Sequence, residues 1–134
     1  MESRRVFYAE ANYGQEEIDA VVDVLENQRH ALVTGPKCIE FEKIVAKEYN
    51  KKFGLMSNSG SSANLLAIQA ANLPKGSEVI TPALTFSTTV APLIQSGLIP
   101  VFVDIELETL QASLEEIEGS INENTSAIMI PNLI

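Results

Sequence analysis

A single cysteine, Cys38, leaves this sequence without the means for an internal disulfide framework, which fits a reducing compartment. Cys38 lies among helix-pattern residues and reads as a packing residue rather than a reactive thiol. Basic residues are also scarce. Nine Lys+Arg stand against 18 Asp+Glu, a net charge of -9, with no basic stripe, which excludes nucleic acid as a partner. Lys51-Lys52 reads as a solvated helix end. The only histidine, His30, precedes a helix pattern and reads as a surface or capping residue. No apolar run approaches membrane-spanning length, and the N-terminus has no apolar core of a signal peptide. Repeats and low-complexity segments are missing as well. These absences predict a soluble, cytoplasmic chain, and 134 residues is the length of one ordinary domain.

What is present centres on Ser57-Asn58-Ser59-Gly60-Ser61-Ser62-Ala63-Asn64. This run follows the apolar segment Phe53 to Met56 and opens a helix pattern, Leu65 to Ala71. A turn through glycine and small hydroxyl residues into a helix leaves backbone N–H groups unpaired at the positive end of the helix dipole. Such a turn can hold a phosphate or carboxylate, with Gly60 permitting close approach and Ser59, Ser61 and Ser62 adding hydroxyl donors. It can equally be a helix cap that binds nothing, because serine is favoured there in any case. Both readings stand on these residues.

Periodicity supplies the organisation. Ile18, Val21, Val22 and Leu25 have helical spacing within Gln15–Asn27. Gly35-Pro36 opens a second helix, Lys37–Tyr49, with Ile39, Phe41, Ile44, Val45 and Tyr49 as its apolar face. From there the pattern alternates: strand Phe53–Ser57, helix Gly60–Asn72, turn Leu73–Gly76, strand Glu78–Thr81, helix Phe86–Ser96 stopped by Gly97, strand Val101–Asp104, helix Ser113–Ile121 and strand Ser126–Ile130. Strands separated by helices predict an α/β fold, a mostly parallel sheet with flanking helices. The run Ala127 to Ile134 follows a buried-type strand without a covering helix, so a truncated larger protein is expected in preference to an edge covered by a partner.

Three ordered blocks then carry a family resemblance: Ser59 to Leu66, Gly76-Ser77-Glu78-Val79-Ile80-Thr81-Pro82-Ala83-Leu84-Thr85-Phe86, and Pro100-Val101-Phe102-Val103-Asp104-Ile105. Together they resemble the DegT/DnrJ/EryC1/StrS family, sugar-nucleotide aminotransferases of the type I (aspartate aminotransferase-like) fold that use pyridoxal phosphate. Leu32 to Lys37 and Phe41-Glu42 resemble the family's substrate-loop segment, so the likeness covers nearly the whole chain. The serine-rich first block with Asn64 is also similar to the branch acting as a CDP-4-keto-6-deoxyglucose 3-dehydrase, which uses the pyridoxamine form. The resemblance implies the N-terminal portion of the large domain, with 1-52 as the helical and substrate-loop region and 53-134 as part of the cofactor-binding α/β domain. It further implies that Gly60, Ser61 and Ser62 bind the cofactor phosphate and that Phe86 stacks on the pyridine ring. Thr34 and Gly35 would lie in a loop near the substrate, where a plain turn and helix cap is the competing reading. A sugar-nucleotide substrate and a homodimer or higher homo-oligomer are implied as partners.

The same resemblance marks what is missing. The family's Schiff-base lysine, replaced by histidine in the 3-dehydrase branch, and the carboxylate that holds the pyridine nitrogen protonated both lie downstream of the segments matched here. Lys37, Lys43, Lys47, Lys51, Lys52 and Lys75 occupy helix-like or turn segments and none is assigned that role; His30 does not match the histidine position, and Asp104 reads as structural. The expectation is a catalytically incomplete chain with no metal site. A non-catalytic regulator, or an α/β protein binding another phosphate ligand through the same turn, are the alternatives.

Overall fold

A computed structural model of the chain describes residue 7 and residues 9–132. Leu133 and Ile134, the end of the terminal apolar run, lie outside the described residues. The chain divides into two compact units, Met1–Met56 and Ser57–Ile134.

The first unit carries two helices, α1 (Gln15–Asn27) and α2 (Pro36–Glu48). At the start of α1 the Glu17 carboxylate accepts the Gly14 N–H at 2.7 Å. Glycine has no side chain to return the bond, so half of a capping box forms. Pro36 occupies the first position of α2, where its missing N–H costs nothing. Helical spacing dictated the apolar face of α1 correctly but not its burial: Ile18, Val21, Val22 and Leu25 are all exposed. Periodicity specifies a face, whereas burial needs something packed against it.

Phe53–Ser57, expected as a strand, is not one. A strand is defined by ladder bonds to a neighbour, and here the backbone is tied to a helix instead. The Met56 N–H donates to Glu42 Oε1 at 2.7 Å, and a Cβ on Gly54 would come within 2.5 Å of the Glu42 carbonyl oxygen. The segment lies against α2 too closely for any side chain at 54.

The second unit runs α3 (Gly60–Ala71), β1 (Glu78–Pro82), α4 (Ser87–Gln95), β2 (Ile99–Val103), α5 (Leu114–Ser120) and β3 (Thr125–Ile128). The expected alternation is present, with boundaries shifted by one or two residues. The sheet is parallel throughout in the order β2-β1-β3. Glu78 pairs with Ile99 on one side and Thr125 on the other, and Ser126 is the extra residue where the β1–β3 register shifts. Gly97, at φ 73°, ends α4 in the left-handed region and lets the chain turn into β2.

Successive residues of β1 serve opposite faces. Val79 packs with Ile68 of α3, Leu93 of α4 and Leu98; Ile80 packs with Val103 and Ile117 of α5. Moving outward from β1 to β2 and then back across to β3 by right-handed crossovers puts α4 and α5 on opposite faces. Val79, Ile80 and Leu93 are completely buried, each contributing about 1.5–3 kcal/mol of transfer free energy. Thr81, on the same face as Val79, is also fully buried, and its Oγ1 has no partner, at a cost of about 1–3 kcal/mol. The outer edge of β3 has no neighbouring strand among the described residues. Ile128, the last residue of β3, and Ile130, beyond it, are exposed.

Candidate functional site

The start of α3 is built by its own serines. Ser59 is the N-cap, its Oγ accepting the Ser62 N–H at 3.1 Å while its carbonyl accepts the Ala63 N–H at 3.0 Å. The Ser57 hydroxyl donates to the Ser59 carbonyl at 2.9 Å and holds the approach to the helix. The cap thus satisfies Ser62 and Ala63 and leaves two N–H groups over. Those of Gly60 and Ser61 have no partner among the described residues. Gly60 has a helical backbone, and a Cβ on it would meet nothing within 4 Å. Neither chain conformation nor packing therefore demands glycine at this position. The open space lies beside two unpaired donors at the positive end of a helix, the chemistry of an anion site.

The same edge of the sheet carries Phe86. Asn64 Nδ2 donates to the Thr88 carbonyl at 3.1 Å, and Gln69 Nε2 donates to Ser96 Oγ at 2.8 Å. Going from 64 to 69 on α3 thus advances from 88 to 96 on α4, so the two helices run parallel. Since α4 follows the C-terminal end of β1, both helix starts stand at the C-terminal edge of the sheet, where open α/β sheets bind their ligands. Phe86 is the N-cap residue of α4 and is 70% exposed. The Ser87 and Thr88 N–H groups behind it likewise have no partner among the described residues. Ser61 and Ser62 also line a cleft of about 250 Å³ between the helices, opposite Thr88, Ala91 and Pro92. The structure thus brings Gly60, Ser61, Ser62 and Phe86 to one edge of the second unit.

Thr34 and Gly35 belong to the first unit. Thr34 has φ 55°, a left-handed conformation that a β-branched residue adopts at a cost of about 1–3 kcal/mol. Gly35 is buried as the N-cap of α2, and a Cβ there would overlap the Ala31 carbonyl oxygen. Gly35 is thus the helix cap of the competing reading, in a loop whose backbone passes close to Ala31. Lys37, two residues on, pairs with Glu40 at 3.0 Å; that bond raises its pKa and keeps the ammonium charged. The remaining lysines are exposed, as is His30. Asp104 directly follows β2 and its Oδ1 accepts the Ile105 N–H at 2.8 Å, a local turn bond. Among the described residues no group of three or more His, Cys, Asp or Glu could hold a metal ion, and no helix is long and apolar enough to cross a membrane.

These arrangements can be set against known proteins. The sequence pattern of the DegT/DnrJ/EryC1/StrS aminotransferase family matches residues 11–134. The chain belongs to this family. A dTDP-4-dehydro-2,6-dideoxy-D-glucose 3-dehydratase of Saccharopolyspora spinosa is 39% identical over an alignment that covers 86% of this chain and 28% of that protein. The Escherichia coli GDP-4-keto-6-deoxy-D-mannose-3-dehydratase with bound hydrated PLP superimposes with a TM-score of 0.80 at 35% identity, over 90% of this chain and 32% of that one. An aminotransferase from Psychrobacter cryohalolentis gives a TM-score of 0.78 at 29% identity, over 92% and 31%. The α/β fold with its parallel sheet is therefore that of the family's PLP-dependent enzymes. The chain spans about a third of the length of these relatives.

The position that sequence reasoning left without a role is Asn64. A proline at 92 in a helix pattern signals that the carbonyl four residues earlier, at Thr88, lacks its helical donor, but not that Asn64 supplies one.

Proposed function

We propose that this chain carries the phosphate-and-ring half of a pyridoxal phosphate or pyridoxamine phosphate site in a sugar-nucleotide-modifying enzyme of deoxy or amino sugar biosynthesis. In the intact protein the reaction is amino transfer to a keto sugar or cofactor-assisted removal of a sugar hydroxyl. The observation that carries the reading is the pairing of unpartnered Gly60 and Ser61 N–H groups with the exposed ring of Phe86 at one sheet edge, in a member of this family.

The residues fit the cofactor in kind. Gly60 and Ser61 donate to the phosphate through the backbone, and the Ser61 and Ser62 hydroxyls add donors. Phe86 offers an aromatic face for offset stacking on a flat heterocycle, which explains a phenylalanine so far out of the core. When bound, the cofactor supplies an electron sink for chemistry on the sugar. The Thr34-Gly35 loop of region 1-52 serves the sugar-nucleotide side, and region 53-134 serves the cofactor. The enzyme works in the cytoplasm as a homodimer or higher homo-oligomer. No lysine described here takes the covalent role; that group comes from the part of the enzyme that the relatives possess beyond this third.

Pyridoxamine phosphate is the suitable probe, because its amine cannot form adducts with surface lysines. Titration should shift the Ser61 amide resonance. Phe86→Leu should weaken binding about threefold to tenfold, the worth of an aromatic stack. Because Phe86 is exposed, unfolding stability should change by less than about 0.5 kcal/mol. A Ser61 amide indifferent to saturating pyridoxamine phosphate would refute the reading.

A further inference from the structure

Pro92 sits inside α4, at the position whose N–H would complete the helical bond to the Thr88 carbonyl. Proline has no N–H, so that carbonyl loses its donor within the helix. The structure supplies one from elsewhere: Asn64 Nδ2 lies 3.1 Å from Thr88 O in a partly buried position. The acceptor is a carbonyl, which requires the amide nitrogen rather than the oxygen to face it. Between α3 and α4, the described side-chain hydrogen bonds are this one and Gln69 to Ser96 at the far ends of the helices. The apolar contact of Ile68 with Leu93 lies further along the helices than Asn64 and Thr88. A cleft lined by Ser61, Ser62, Leu65, Thr88, Ala91, Pro92 and Gln95 runs between the two helices, and Asn64 to Thr88 is the described side-chain hydrogen bond nearest their starts.

We propose that Asn64 is a positioning residue. Its side-chain amide stands in for the N–H that Pro92 lacks, and that bond aligns the start of α3, with the Gly60 and Ser61 donors, with the start of α4, with Phe86. Proline makes the Thr88 carbonyl available, and asparagine converts the vacancy into a clamp between two helix N-termini. The proposal rests on the cofactor reading above for what the two ends hold, but the clamp itself is a property of the free chain.

Its test separates satisfaction of the carbonyl from positioning. Asn64→Ala should lower the melting temperature by about 3–6 °C and weaken pyridoxamine phosphate about threefold to tenfold. Adding Pro92→Ala gives Thr88 an N–H within its own helix, so the double variant should recover the melting temperature. It should not recover the affinity, because the tie between helices is still gone. In the free protein, the Ser61 amide and Phe86 ring resonances should remain displaced in the double variant. Recovery of affinity together with stability would overturn the proposal and reduce Asn64 to a structural partner. Unchanged Ser61 and Phe86 resonances in the double variant would also overturn it, whether or not the cofactor binds. Absence of pyridoxamine phosphate binding by the unsubstituted chain, with those resonances still displaced, would instead refute the cofactor reading while upholding the clamp.

Discussion

Replacing Gly60 by alanine should make the protein more stable and a worse binder, an opposition that follows from where the glycine stands. Gly60 is the first residue of α3, and an added Cβ would contact no atom within 4 Å. The folded state accepts the methyl group without strain, while the unfolded chain loses conformational freedom. Such a substitution at a compatible position stabilises by about 0.4–1 kcal/mol. In the proposed site, the same methyl group crowds the approach of an anion to the adjoining Gly60 and Ser61 N–H groups. Loss of one hydrogen bond to a charged group corresponds to about 1.5–3 kcal/mol, or roughly tenfold to hundredfold in affinity. Urea unfolding gives the first quantity, and titration with pyridoxamine phosphate, followed by the Ser61 amide, gives the second. Gly60→Ala with unchanged affinity would refute the placement of the phosphate at this turn. A loss of stability would refute the claim that the space is empty of protein.

Gly35 should behave in the opposite way: a Cβ there overlaps the backbone oxygen of Ala31, so Gly35→Ala should destabilise by about 1–3 kcal/mol in urea unfolding, as overpacking does, although its φ of -74° is ordinary. The Glu17 carboxyl, held below the usual carboxylate range first by the Gly14 N–H, stabilises the start of α1 above its unfolded pKa, and this contribution is lost as pH falls through the lower folded value. A carbon-detected titration should therefore place Glu17 below the glutamate reference of about 4.3, and a midpoint at or above that reference would exclude the bond in solution.

Five helices and three of the four expected strands were legible because their information is local. Serine and proline at helix starts, glycine after α4, and the alternation of apolar runs with helical periods act over a few residues. Phe53–Ser57 failed for a non-local reason. A strand needs a partner at ladder distance, and the Glu42 carboxylate and the close approach of Gly54 to α2 took the place of that ladder. The site divides along the same line. That serine caps this helix start could be read from the turn, whereas which N–H groups the cap leaves unpaired, those of Gly60 and Ser61, required the structure.

The sequence by itself therefore determined the order of elements, the parallel α/β architecture and the family, since these depend on patterns along the chain. Tertiary structure alone decided that the starts of α3 and α4 face the same sheet edge, that Phe86 is exposed there, and that Asn64 answers the carbonyl which Pro92 leaves open. Residues 64 and 88 lie 24 positions apart, and no local propensity relates them. The sheet relates them, by making a buried Val79 the common floor of two helices and so leaving a polar bond to align their ends.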